Sequence, residues 1–247
     1  MVTSQAERQF TNKVHNMVTD RRFALIFRSI SLALIIAGFL SMMGVFTDSV
    51  QPSMLMYYTM QSNMLAIVLF AMLVFRTAIG LRKEKTGSVG YYARFEMICV
   101  TNLLLTFFAF WLMLAPRLFP MTDEFSMWSF GNLAVHCITP LLCFIDYILF
   151  YKIHNLKYRD VYYSVGIPLF YFAVTSVAGL LGYVYRISAI DGNPIHYPYY
   201  FYDYDRIGAK AFLYITVMTG VFILFVHIFY FIDIKRRKKR TSAPHMK

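Results

Sequence analysis

Thr59, Ser62 and Asn63 stand together at the head of an otherwise apolar run from Met56 to Phe75, and His136 stands four residues before Pro140 in HCITPLLCFID. A threonine hydroxyl is a poor nucleophile until a neighbouring base takes its proton. An imidazole, whose ordinary pKa lies near neutrality, is the side chain suited to that task. Asn63 or a backbone amide would then stabilise a developing oxyanion. Thr59 and Asn63, four residues apart, share a helical face, with Ser62 beside them. Gln61 points about 160° away from Thr59 round the same helix. Brought together, the set describes acyl transfer from an ester.

The elements that must position these residues are membrane helices. Of the 247 residues, 58 % are hydrophobic and only 15 % charged, where a soluble domain carries about a quarter charged. The apolar residues gather into six runs of bilayer-crossing length: Phe23–Phe46, Leu55–Ile79, Glu96–Ala115, Phe130–Tyr151, Val161–Tyr185 and Ala209–Ile232. The first is read as a true span because it is longer than a signal-peptide core and SMMGVF is a poor cleavage site. The expectation is one all-α bundle of six transmembrane helices with short basic tails at 1–22 and 233–247.

The net charge of +11 suggests nucleic acid until its distribution is read. The tails and even-numbered loops hold 18 Lys and Arg, among them Arg8, Lys13, Lys152, Lys247 and the run Lys235–Arg240, against 3 in the odd-numbered loops (Arg117, Arg186, Arg206). The positive-inside rule places both termini in the cytoplasm of a multi-pass cell-membrane protein. The terminal KRRKKR becomes a stop-transfer and anionic-lipid anchor rather than a nucleic-acid site.

With that topology the second and fourth helices both run inward. Thr59 then lies ~6 Å and His136 ~9 Å below their outer ends by helical rise, in one layer at acyl-ester depth. Pro140 cannot donate to the His136 carbonyl, so a bend and a free acceptor are expected beside the imidazole. Each residue also has a plain structural reading. Thr and Ser in membrane helices commonly bond their own backbone or join helices, Asn63 can bridge helices, and His136 can make one interhelical bond. These alternatives stay open; it is the coincidence in one layer that favours chemistry for the set.

The remaining polar residues carry less. His227 is ~18 Å deeper than His136 by helical rise, too far for a shared metal. His15, His154 and His245 are read as cytoplasmic, and His196 as a residue of the outer-loop surface. Asp146 is expected to pair with a cytoplasmic Lys or Arg, and Arg28 and Arg76 to snorkel toward the inner headgroups. Cys99, Cys137 and Cys143 sit in separate spans or at non-metal spacing, and no cofactor is called for. The third loop adds Asp123, Glu124 and Trp128. The longest outer loop, Arg186–Gly208, carries five tyrosines and Phe201 between 197 and 204, expected to form an interfacial aromatic belt.

The pairing of YYTMQSN with LAVHCITPLLCFIDYILF resembles the androgen-induced-gene family of multi-pass threonine hydrolases, in its bacterial six-pass branch. The family pattern is an aromatic, then Thr-x-Gln-(Ser/Thr)-Asn, and later a His with Pro four residues on. YPYYFYD, Tyr197 to Asp203, is similar to the Tyr-Pro-Tyr-Pro-Phe-x-Asp of that branch, with Tyr200 where Pro is usual. The resemblance implies Thr59 as nucleophile and His136 as its partner. It implies a lipid or fatty acid ester as substrate, as the eukaryotic members hydrolyse fatty acid esters of hydroxy fatty acids. On this reading Gln61, Ser62, Asn63, Tyr197, Tyr199 and Asp203 contact the substrate.

The competing class is a binding or transport protein using the same polar layer as a ligand pocket. Against transport, no repeats or paired broken helices are visible, and the second and fourth helices turn apolar toward the inner face apart from Asp146. The distance between Thr59 and His136 discriminates. Beyond about 8 Å, one water no longer bridges them and the non-enzymatic readings gain.

Overall fold

A computed structural model describes residues 19–47, 49–118, 127–150, 156–188 and 191–241, leaving aside the side chains of 117, 118 and 236–241. Arg8, Lys13, His15, Asp123, Glu124, Lys152, His154, His245 and Lys247, and the side chains of Arg117 and of most of KRRKKR, therefore lie outside the described residues.

The chain is a multi-pass membrane protein built as an all-α bundle, with six helices long and apolar enough to cross a bilayer. They are α1 (Arg21–Met42), α2 (Tyr58–Lys83), α3 (Ala93–Leu114), α4 (Phe130–Leu149), α5 (Tyr158–Leu180) and α6 (Lys210–Thr241). The expected spans all appear, displaced by a few residues. α1, α2, α3 and α5 each reach further into the basic end than the apolar runs do, because Arg and Lys are good helix formers that hydropathy excludes. α4 has half of its apolar window buried and α3 44 %, against 17 % for α6. α3 packs on α2, α4, α5 and α6, while α1 lies against α2 and α4. The interior is thus α3 with α4, and α6 is peripheral.

Local chemistry fixes the ends. Asp20 caps α1, its carboxylate accepting from the Arg22 and Phe23 amides at 2.7 and 3.3 Å, which satisfies two of the helix's free donors. The Arg21 guanidinium donates to the carbonyls of Gly80 and Glu84, both at 2.9 Å, placing a cation on the C-terminus of α2. Arg94, at the start of α3, meets Asp160 of α5 at 2.6 Å. At the other end of α1, glycine permits contact with α4. A Cβ on Gly38 would stand 2.1 Å from the Ala134 Cβ, and one on Gly131 would stand 2.8 Å from the Met42 backbone nitrogen.

Arg28 departs from expectation. It lies ~10 Å along α1 from Arg21 by helical rise, fully buried, and does not snorkel. Its Nε and Nη2 meet the two Asp146 carboxylate oxygens at 2.8 and 3.0 Å. Nη1 donates to the Thr77 hydroxyl at 2.8 Å and the Val89 carbonyl at 2.9 Å, and the Phe150 ring lies 4.8 Å from the guanidinium carbon. Asp146 does pair with an arginine, but with a membrane-embedded one. A bidentate pair with two further bonds from the same guanidinium is the geometry that offsets desolvation. Glu96 of α3, 1 % exposed, lies beside both charges. Its carboxyl faces that of Asp146.

The outer loop also departs from the belt reading. Tyr197, Phe201 and Tyr202 are buried and pack with Met113, Leu114, Phe172, Ile215 and Met218, so the loop turns inward over one end of the bundle. A two-stranded ribbon, β1 (Arg186–Ile187) with β2 (Pro194–Ile195), starts it. Gly179 of α5 leaves room for the Tyr197 ring, which a Cβ there would approach to 2.4 Å. The Tyr202 hydroxyl shares a hydrogen bond with Thr175 at 3.1 Å, and Tyr200 donates to the Met113 carbonyl at 3.1 Å. Polar tips find partners in the bundle, so the rings need no water.

The ion pair predicts a contrast. Arg28→Ala should lower stability by about 3–5 kcal/mol, because it leaves the Asp146 carboxylate without its cation. Asp146→Asn should cost less, because Glu96 remains beside the Arg28 charge. Glu96→Gln should cost nothing, since the Arg28 charge is already matched by Asp146. Thermal unfolding of the three variants in detergent, followed by helical circular dichroism, checks the order.

Candidate active site

Thr59 is the second residue of α2, and its hydroxyl lies 3.3 Å from His136 Nε2. The other imidazole nitrogen, Nδ1, lies 3.1 Å from the Asn132 carbonyl one turn back on α4. A carbonyl only accepts, so Nδ1 carries the proton and Nε2 is left as the acceptor for the Thr59 hydroxyl. The threonine is thereby aimed at a base whose tautomer the backbone sets. Both residues are buried, at 7 % and 5 % exposure.

The local structure of α4 explains how His136 reaches this far. Residues Ala134–Ile138 form a π turn, with the Thr139 amide donating to the Ala134 carbonyl five residues back. The bend expected at Pro140 is taken up by this widened turn immediately before it. A second π turn, Phe110–Leu114, lies in α3, and Phe110 stacks on the imidazole with ring centres 3.8 Å apart and planes 20° apart. Single-turn π bulges inside helices are frequent at functional sites. Here the ring sandwiched by one bulge belongs to the other.

Asn63, fully buried, uses both amide hydrogens on the backbone, donating to the carbonyls of Thr59 at 2.8 Å and Val135 at 3.0 Å. It therefore clamps α2 to α4 beside the Thr59–His136 pair and has no hydrogen left for an oxyanion. Ser62 donates to the Thr59 carbonyl at 2.9 Å and shares a bond with Thr106 of α3 at 3.0 Å. Tyr199 comes from the outer loop, and its hydroxyl oxygen lies 3.4 Å from the Thr59 amide nitrogen, which donates to it. Burial pushes its phenol up to about 12. Thr59, Ser62, Asn63, His136 and Tyr199 thus converge.

Three other expected contacts lie elsewhere. Gln61 is exposed and donates to the Leu55 carbonyl at 3.3 Å. Tyr197 packs edge-on against Tyr202 and Tyr204. Asp203 caps the short helix Tyr204–Ile207 through the Arg206 amide at 3.2 Å and meets the Arg206 guanidinium at 3.5 Å, while burial pushes its carboxyl up. Asn132 and Phe110 are site residues that spacing did not reveal. A carbonyl acceptor carries no side-chain signal, and one phenylalanine among 24 is silent. The His-x-x-x-Pro spacing was the available clue to the bulge.

Comparison of the chain with protein-family models, curated proteins and solved structures returns no match. The chemistry is therefore read from the site.

A narrow cavity of about 100 Å³ between α3, α5 and α6 is lined by Thr59 and not by His136. Its walls include Leu105, Val165, Phe172, Met218 and Phe222, with Thr59 and Tyr199 at one end. A wider groove of about 760 Å³ runs between α2 and α5 and takes in Gln61 and Ser62. The two spaces share Tyr58 and Tyr171 as a common wall. Largely apolar walls with several hydroxyls among them suit a hydrocarbon chain ending in a polar carbonyl. Among the described residues no group of His, Cys, Asp and Glu is placed to hold a metal, and Cys99, Cys137 and Cys143 are free.

The clamp role of Asn63 is testable. Asn63→Asp replaces two donors with acceptors and should destabilise the protein by more than Asn63→Ala. The alanine variant should cost about 1–3 kcal/mol, chiefly for the Val135 carbonyl, because Ser62 still donates to that of Thr59. Unfolding midpoints in detergent rank the two.

Proposed function

We propose that the chain is an intramembrane enzyme that cleaves a lipid ester through a threonine nucleophile, acting as a hydrolase or an acyltransferase. The observation that carries the reading is the 3.3 Å contact between the Thr59 hydroxyl and His136 Nε2, well inside the separation of about 8 Å beyond which non-enzymatic readings gain. The backbone-fixed tautomer and the largely apolar cavity that Thr59 lines support it.

In the proposed cycle His136 Nε2 takes the Thr59 hydroxyl proton as the oxygen attacks the ester carbonyl. The tetrahedral adduct collapses to an acyl-threonine, and the departing alcohol takes the proton back from Nε2. Water, or a second alcohol in a transferase, then attacks the acyl group with His136 again as base. Phe110 and the Asn132 carbonyl hold the imidazole in its plane throughout. The androgen-induced-gene resemblance points the same way and proposes a fatty acid ester as the substrate, with the alkyl chain in the narrow cavity.

A fluorophosphonate probe should label the purified protein on Thr59. Thr59→Ala should abolish labelling, and His136→Ala should slow it by about 10²–10⁴-fold, the range for loss of a general base. Persistent labelling of the Thr59→Ala variant would sink the nucleophile assignment.

A further inference from the structure

The proposed reaction needs a donor for the carbonyl oxygen as it becomes an oxyanion. Asn63, the side chain best placed by sequence, has none to give, and Ser62 donates to the Thr59 carbonyl. The phenols that line the cavity are engaged as well. Tyr58 bonds Asn102, Tyr171 donates to the Met56 carbonyl at 3.0 Å, and Tyr202 shares a bond with Thr175. The Thr106 hydroxyl lies between Ser62 at 3.0 Å and the Asn102 carbonyl at 3.2 Å. Tyr199 differs, because its contacts run to Thr59, where its oxygen accepts from the amide and lies beside the hydroxyl.

We propose that Tyr199 is a catalytic residue, whose hydroxyl together with the Thr59 amide forms the oxyanion-binding site of the ester reaction. The assignment rests on the reading of Thr59 as nucleophile. When the Thr59 oxygen bonds to the carbonyl carbon, the new oxyanion is carried beside the amide of the same residue. In the free protein that amide faces the Tyr199 oxygen at 3.4 Å, longer than a settled N–H to O bond, so the phenol occupies the place that the substrate oxygen takes. A small swing of the ring lets the carbonyl in and turns the phenol O–H toward it. The ring is steered by Phe201, stacked at 5.2 Å with planes 7° apart, and by Tyr57, edge-on at 5.8 Å.

The step balances without proton loss from Tyr199. The Thr59 proton passes to His136 Nε2, the oxygen–carbon bond forms, and the carbonyl π pair moves onto oxygen, which accepts hydrogen bonds from the phenol and the amide. On collapse the C=O bond reforms, the bond to the leaving alcohol breaks, and that alcohol takes the Nε2 proton. Burial keeps the phenol protonated, as this role requires.

The test is Tyr199→Phe in the full chain in detergent, read by fluorophosphonate labelling rate and by turnover of a long-chain p-nitrophenyl ester. Removal of one oxyanion donor should lower kcat and the labelling rate by about 10²–10³-fold, with KM little changed. Wild-type kcat in the variant, or a rise in KM alone, overturns the assignment. If Tyr199→Phe does not fold, Tyr199→His is compared with Tyr199→Leu. A labelling rate at least tenfold higher for the histidine, which keeps a donor, supports the proposal, and equal rates overturn it. Labelling lost in Thr59→Ala but unchanged in Tyr199→Phe removes only the oxyanion role. A wild-type protein that neither labels nor turns over ester removes the nucleophile reading and this one with it.

Discussion

One ion pair holds the bundle's basic half in register. Arg28 on α1 reaches Asp146 on α4, Thr77 on α2 and the carbonyl of Val89, just before α3. In hydrocarbon such groups are costly unless every donor is met, so the helices cannot slide past one another without stranding a charge. That constraint acts on the far side of the bundle from Thr59, yet it sets the relative height of α2 and α4. The height decides whether a hydroxyl on one helix meets an imidazole on the other.

Above that anchor the residues of the candidate site are fixed by hydrogen bonds to main-chain atoms. Asn63 holds carbonyls of α2 and α4, Ser62 joins α2 to α3, and the Asn132 carbonyl orients His136. Backbone partners are rigid, and buried bonds of this kind leave few alternative rotamers. The polar residues of YYTMQSN therefore divide. Thr59 faces both base and cavity, Ser62 and Asn63 fasten the helix that carries it, and Gln61 turns outward. One stretch serves the candidate nucleophile, a clamp and the surface.

Run length made the six spans legible, and helical rise made the shared depth of Thr59 and His136 legible before any geometry was known. Both follow from local periodicity. Arg28 was misjudged because snorkelling is decided by the distance to the headgroups, whereas its burial depends on a carboxylate 118 positions away. Glu96 was passed over as the polar start of a span, since nothing nearby in sequence marks it as an interior residue. The tyrosine loop read as a belt because aromatic composition cannot say which way rings turn. That direction is set by the space at Gly179 and the partners at Thr175 and Met113. Asn63 was legible as a polar residue on the right face, but not the engagement of its amide by two carbonyls.

The contact of Gly38 with Ala134 has a consequence for how such a chain can vary. Ala134 opens the widened turn that carries His136, and α1 leaves room for it only by having no side chain at 38. Glycine and bulge occupy one space and must be inherited together. A descendant that straightened α4 by losing Pro140 would release position 38 to larger residues. One that kept the bulge could accept a bulky residue at 38 only by pushing the imidazole off Thr59. α1 lends nothing to the Thr59–His136 contact itself, yet it holds a veto over the reach of the imidazole.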